Sequence, residues 1–219
     1  MNCRLCGSPD CPTVYRDAAR EYRHCAVCDL IFVPASQFVT VDEERARYEL
    51  HDNTGGHAGY RSFLNEAAEI VEQVTVQSGR ILDFGSGRNA VLTSLLRDRG
   101  YSCTAYDPLY GIGMDSTEFP YDTVVLCEVI EHLRDLKEDL RIITGMMNPS
   151  GTVVIRTGLH PPPGSFGSWW YKNDRTHINY LGMPTVEWIA KTFGYAVVDS
   201  GKKGIVVLKR KCGRGTTSG

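Results

Sequence analysis

Long apolar runs are missing from this 219-residue chain. No stretch reaches the ~18 apolar residues that a membrane-spanning helix needs. The N-terminus lacks the basic-then-apolar pattern of a secretory leader. Charge of one sign is lacking too. The net formal charge is −2, which gives no broad basic footprint for nucleic acid or for an acidic membrane surface. Internal repeats are absent. With 42% hydrophobic and 23% charged residues, the chain has apolar material for a sizeable core and is not disordered as a whole. The expectation is a cytoplasmic protein with one ordinary domain, a small appendage and no membrane partner.

Cysteine, by contrast, is plentiful. Four of the eight cysteines fall in two CxxC pairs, which in a reducing compartment points to metal rather than to disulfides. Cys3-x2-Cys6-x18-Cys25-x2-Cys28 has the spacing of a four-cysteine zinc ribbon. Each CxxC turn aims two thiolates at one ion, and four thiolates close a structural site. Gly7 suits the first knuckle, whereas Asp29 stands at the matching place in the second. Cys11 is a spare, and His24 is an adjacent alternative ligand. Neither pair lies beside a strand-to-helix junction, where a redox pair would sit. Residues 1–40 carry four Arg and four acids, Asp10, Asp17, Glu21 and Asp29. That balance favours a structural or substrate-gripping ribbon over a nucleic-acid reader.

The stretch that organises the rest is ILDFGSG, residues 81–87. Ile81, Leu82 and Phe84 read as a buried strand with Asp83 near its end. Gly85 and Gly87 allow a tight turn and close approach of a ligand. A helix follows, with Val91, Leu92, Leu95 and Leu96 at helical spacing and Gly100 past its end. The turn's N–H groups and the helix N-terminus are expected to face a ligand. Gly85-Ser86-Gly87-Arg88-Asn89-Ala90 also matches the dinucleotide pattern G-x-G-x-x-A of nicotinamide oxidoreductases. Asp83 argues against that reading, because its carboxylate would face a pyrophosphate of like charge. The same carboxylate suits a ligand with a cationic amino-acid end.

Before this strand, residues 41–78 read as a helical linker or cap. A short charged helix runs from Val41 to about Leu50, and the turn-rich HDNTGGH loop holds His51 and His57. An amphipathic helix over 59–76 follows. Tyr48 and His51 are expected to fix the linker rather than reach the pocket. After ILDFGSG, a second strand spans Ser102–Tyr106 and ends at Asp107, 20 residues after Gly87. Only residues 108–120 separate Asp107 from the next strand, YDTVVLC at 121–127. A helix runs over about 135–146, stopped by Asn148-Pro149-Ser150-Gly151, and GTVVIRTG (151–158) makes another strand. Residues 159–180 form a long Pro- and aromatic-rich loop, read as a lid that supplies an aromatic wall. A helix over 184–193 ends at Gly194. YAVVDSGKKGIVVLKR is a hairpin turning at Gly201–Gly204, and 212–219 are expected to be a disordered tail.

ILDFGSG resembles motif I of class I S-adenosylmethionine-dependent methyltransferases. Glu128-Val129-Ile130-Glu131-His132-Leu133 and NPSGTVVI resemble their later motifs, so the likeness spans residues 79–209. It implies an α/β Rossmann-like sheet over 79–211, mostly parallel, with a C-terminal antiparallel hairpin. The family strand order is 3-2-1-4-5-7-6. Thirteen residues cannot hold the usual helix–strand–helix interval, so strand three is expected to be missing or vestigial. The resemblance implies S-adenosylmethionine as cofactor, held by Asp83, Gly85, Ser86, Gly87, Asp107, Pro108, Cys127 and Glu128. Asp107 would accept the ribose hydroxyls. With its ribbon over 1–40, the chain resembles bacterial methyltransferases of sugars and other small metabolites, which implies O- or C-methylation of a small acceptor. An RNA or protein methyltransferase using the ribbon to hold a polymer is the alternative.

Methyl transfer needs alignment above all, and a base when the acceptor is a hydroxyl or a carbon acid. Glu131, His132 and His177 are the catalytic candidates, with His160 a further base candidate at the same edge. Glu128, Glu131 and His132 stand at i, i+3 and i+4, a spacing that puts all three on one side of a helical turn. This stretch resembles the E-x-x-E-H segment of small-RNA 2′-O-methyltransferases and quinone-precursor O-methyltransferases. The likeness implies a divalent metal on those three residues, with His177 approaching from the lid.

Overall fold

Alternating apolar residues build the central sheet. In the computed structural model, which describes residues 1–50, 58–113 and 120–211, Leu82, Val124, Leu126, Val153, Ile155, Val206 and Leu208 pack on one face. Ile81, Val125, Val154, Ile205 and Val207 pack on the other. Period-two alternation with both faces covered is what a parallel sheet between two helical layers requires.

In chain order the elements are β1 (Thr13–Arg16), β2 (Glu21–His24), β3 (Ile31–Phe32), α1 (Val41–Glu49), α2 (Ala58–Val74), β4 (Arg80–Phe84) and α3 (Val91–Asp98). Then come β5 (Ser102–Tyr106), β6 (Tyr121–Cys127), α4 (Leu136–Gly145), β7 (Met147–Arg156), β8 (Asn179–Tyr180), α5 (Met183–Phe193), β9 (Tyr195–Val198) and β10 (Ile205–Arg210). The large sheet has the order β5-β4-β6-β7-β10-β9. The first four strands run parallel, and β10 is antiparallel to β7 and β9. This is the expected order without strand three. Among the described residues no strand lies outside β5, and Ile112 bridges back to Asp107 instead. Residues 114–119 fall outside the described residues, as do His51, His57 and the tail 212–219.

Helices α2 and α3 cover one face, and α4 and α5 the other. α1 belongs to neither layer. It buries no residue, and its start is fixed by a capping box in which Thr40 Oγ1 accepts from Glu43 N–H at 3.2 Å. Helix α4 ends at Gly145, close to the expected stop, and the Asn148–Gly151 segment continues beyond it as strand. It lies inside β7, where the register with β6 shifts between Tyr121 and Thr123. Among the described residues no helix is long and apolar enough to cross a membrane.

The N-terminal cysteine region forms a second, four-stranded sheet, β1-β2-β3-β8. Its last strand comes from the loop after β7, with Ile31 paired to Tyr180 and Phe32 to Asn179. Cys3, Leu5, Cys25, Cys28, Leu30 and Phe32 join the same apolar cluster as α4 and α5. The region is therefore welded to the α/β unit rather than tethered. Loop 159–180 is not irregular either. It forms two 3-10 turns, Pro163–Ser168 and Trp170–Asn173, and Phe166, Tyr171, Ile178 and Tyr180 pack with Tyr22, Ile31 and Val33 of the small sheet.

Candidate active site

The turn after β4 explains itself residue by residue. Gly85 (φ +78°) and Gly87 (φ +68°) both adopt left-handed backbone that glycine tolerates best. Their reasons differ. A Cβ on Gly85 would lie 2.5 Å from Val129 Cγ2, while one on Gly87 meets nothing within 4 Å. Gly85 is a packing glycine, and Gly87 opens onto the cleft. Gly85→Ala should therefore destabilise the fold by roughly 2–4 kcal/mol, from overpacking plus the left-handed backbone. Gly87→Ala should cost only about 1 kcal/mol in stability and act on ligand affinity instead. Urea unfolding of the two variants checks this, and equal losses would refute the distinction.

The amides of this turn do not face a ligand, contrary to the sequence expectation. Gly85 and Ser86 N–H donate to Tyr106 C=O at 2.7 and 3.1 Å, and Gly87 N–H donates to Asp107 Oδ2 at 2.8 Å. The end of β5 satisfies them because an unpaired buried amide is costly. A pyrophosphate needs such donors unspent, so this turn is not built for a dinucleotide. Asp107 also accepts from Leu109 N–H at 3.0 Å, and burial raises its carboxyl above the usual range. Asp83 is drawn toward the protein as well: its Oδ2 accepts from Thr93 N–H (3.1 Å) and Thr93 Oγ1 (2.7 Å) in the first turn of α3. Burial pushes it up to about 6.

One cleft of about 1590 Å³ joins this turn to the residues after β6. Asp83, Gly85, Ser86, Gly87, Asp107, Pro108, Cys127, Glu128, His132 and His177 all line it. Burial pushes the Cys127 thiol well up. Its outer wall is polar and comes from α1. Arg47 pairs with Asp174 at 2.9 Å, Glu44 with Arg134 at 2.8 Å, and Arg45 donates to Leu109 C=O at 2.9 Å. Tyr48, expected only to brace the linker, lines the cleft with its ring edge-on to His132.

The three groups after β6 do not stand on an α-helical turn. Glu128 has φ +55°, so the chain leaves the strand through a left-handed step into a short 3-10 turn, Ile130–His132. An α-helix begins only at Leu136, and the helical i, i+3, i+4 register does not apply. Glu128 and Glu131 converge on Tyr171, whose hydroxyl contacts Glu128 Oε2 at 3.0 Å and Glu131 Oε1 more closely. Glu131 is fully buried and also accepts from Thr157 Oγ1 at 3.1 Å. Burial and the neighbouring Glu128 push its carboxyl well up. It does not line the cleft, which corrects its placement among residues that would touch a substrate.

His132 lines the cleft. Its Nδ1 donates to Thr176 C=O at 3.1 Å, and its ring meets His177 edge-on at 4.8 Å. His177 Nδ1 donates to Tyr171 C=O at 2.9 Å. A neutral imidazole held this way keeps Nε2 as its acceptor nitrogen. Burial and the neighbouring His132 push His177 down to about 3, so it stays neutral. Ligand atoms of Glu131, His132 and His177 lie within 4.8 Å of one another. That trio, rather than Glu128, Glu131 and His132, is the one that could share an ion. His160 is not part of the site: its Nε2 binds Asp29 C=O at 2.9 Å against the cysteine region.

Cys3, Cys6, Cys25 and Cys28 bring their sulfurs within 4.8 Å of one another. The two knuckles repeat one pattern. Cys3 N–H donates to Ser8 C=O and Gly7 N–H to Cys3 C=O, while Cys25 N–H donates to Leu30 C=O and Asp29 N–H to Cys25 C=O. Asp29 takes the glycine-like backbone (φ +61°), and its carboxylate binds His24 Nε2 at 2.7 Å. That bond turns His24 to Asp29, and Cys11 donates to Ser8 C=O.

The methyltransferase-domain family matches residues 54–200. No curated protein matches the chain in sequence. Solved structures share the fold. One is a Burkholderia thailandensis 1,6-didemethyltoxoflavin-N1-methyltransferase with bound 1,6-didemethyltoxoflavin and S-adenosylhomocysteine, at TM-score 0.55 and 18% identity over 90% of this chain and 98% of that one. Another is an O-methyltransferase family protein from Burkholderia thailandensis, at TM-score 0.52 and 14% identity over 78% and 63%. A third is human N-acetylserotonin methyltransferase in complex with S-adenosylmethionine, at 0.52 and 11% over 78% and 55%. The chain belongs to the methyltransferase-domain family and is, by family and fold, an S-adenosylmethionine-dependent methyltransferase.

Proposed function

We propose that this enzyme methylates a small-molecule acceptor on oxygen or carbon, with S-adenosylmethionine bound at the Gly85–Gly87 turn. The observation that carries the reading is the single cleft running from that turn to the histidine pair. Its volume exceeds the ~300–1,000 Å³ of an ordinary ligand site, which leaves room for a nucleoside-sized donor and a small acceptor together. The open space at Gly87 and the acid at Asp107 fit the amino-acid and ribose ends of that donor. When bound, S-adenosylmethionine supplies an electrophilic methyl group on a good leaving group. The protein has to orient the acceptor and receive its proton.

His132 is the better base of the pair. It lines the cleft and is only partly buried, whereas burial disfavours a cation on His177. Neighbours acting on toxoflavin precursors and N-acetylserotonin, by their names, support a small acceptor. A second reading has its own observation. Glu131, His132 and His177 could hold a divalent cation, because both histidines donate Nδ1–H to a backbone carbonyl, the usual outer-shell partner of a ligating imidazole. We further assign one structural zinc to Cys3, Cys6, Cys25 and Cys28, and place the enzyme in the cytoplasm, where reducing conditions keep such thiols available.

The test is a metabolite-extract assay with labelled methyl donor and mass identification of the product. His132→Ala should lower product formation by roughly 10²–10⁴-fold, with a smaller loss in His177→Ala. Loss on mild chelation that spares the cysteine site, restored by Mg²⁺, Mn²⁺ or Zn²⁺, would favour the cation. Wild-type turnover in both histidine variants would leave neither role standing.

A further inference from the structure

Arg20 sits between β1 and β2, in the cysteine region, yet it is 4% exposed. Its Nη1 donates to the carbonyls of Arg175 (2.9 Å) and His177 (3.0 Å), and its Nη2 to those of Lys172 (2.6 Å) and Asp174 (3.1 Å). The guanidinium also lies over the Tyr22 ring at 5.2 Å. The two terminal nitrogens carry four N–H groups, and four carbonyls within six residues take them. Carbonyls turned inward this way would be costly without a donor. A lysine has three donors on one point and cannot match the fork.

The gathered segment is the one that sets the histidines. Thr176 C=O lies inside it and accepts from His132 Nδ1. Tyr171 C=O immediately precedes it and accepts from His177 Nδ1. We propose that Arg20 is a positioning residue for the acceptor end of the cleft. By holding the 172–177 backbone it fixes the two carbonyls that choose the tautomer and ring orientation of His132 and His177. The proposal rests on reading the histidine pair as the acceptor end, but its test does not depend on turnover.

Side-chain ¹⁵N shifts of ¹⁵N-histidine-labelled full-length protein near neutral pH report the tautomers directly. The wild-type protein should show both imidazoles as the Nδ1–H form. Arg20→Ala should turn both into tautomer mixtures and speed amide exchange over 172–178 by at least about tenfold. Exchange in α2 and β4, and affinity for S-adenosylhomocysteine, should stay within about twofold. Arg20→Lys should be intermediate. Unchanged tautomers in Arg20→Ala would overturn the proposal, and so would exchange that rises evenly along the whole chain, as a merely structural loss produces. If Arg20→Ala does not fold, Arg20→Lys is read alone, and wild-type tautomers in it overturn the proposal. Idle histidines would be revealed by the product assay, not by these readouts.

Discussion

Chelating the protein under reducing conditions is expected to release one equivalent of zinc per chain and to loosen the N-terminal sheet. The reason is size. The strands of that sheet are two to four residues long, and some 40 residues cannot bury enough apolar surface to order themselves. Structural zinc contributes on the order of 10–16 kcal/mol of apparent binding energy in isolated fingers. Here part of the fold energy comes from the shared apolar cluster, so partial order should survive. The consequence should reach the cleft, because β3 pairs with β8 and Arg4, inside the first knuckle, donates to Asn179 Oδ1 at 3.3 Å. Asn179 in turn holds the carbonyls of Ile130 and Leu133 around the His132 turn. Hydrogen exchange in 159–180 should rise after metal removal, with β4 and α3 unchanged. Less than half an equivalent of zinc in freshly purified protein, with the four thiols free to titrate, would remove the assignment.

Asp107→Ala should weaken S-adenosylhomocysteine binding by roughly 10–100-fold, since hydrogen bonds to a charged group are worth about 1.5–3 kcal/mol each. Two effects add. The variant removes the acid assigned to the ribose hydroxyls, and it frees Gly87 N–H and Leu109 N–H, which that carboxylate now holds. Asp107→Asn keeps one acceptor oxygen and should fall between. Isothermal calorimetry decides the matter, with His177→Ala as the control expected to bind within about twofold of wild type. Unchanged affinity in Asp107→Ala would show that the donor lies elsewhere.

Local sequence carried the elements that rest on short-range physics. Apolar runs announced β4, β6 and β7, and alternation the β9–β10 pair. Helical spacing announced α2 and α3, and glycine at 194 closed α5 in the left-handed conformation it favours. The CxxC spacing brought Cys3, Cys6, Cys25 and Cys28 together, because each turn is closed by its own backbone bonds. The glycine turn and Asp107 were legible as a pair for the same reason: β4 and β5 are parallel neighbours whose ends must meet. What the sequence could not contain is any partner chosen across the fold. Nothing near Glu128 foretells its left-handed backbone, and that step sends Glu131 into the core beside Tyr171 and His132 toward the cleft. Nothing near Asp83 says that Thr93 will take its oxygen. His160 looked like a base at the sheet edge until Asn179–Tyr180 joined the N-terminal sheet and drew that loop onto Asp29. Arg20 carries no motif at all. Its four carbonyls lie more than 150 residues away in the chain, and only closure of the small sheet onto the loop brings them within reach.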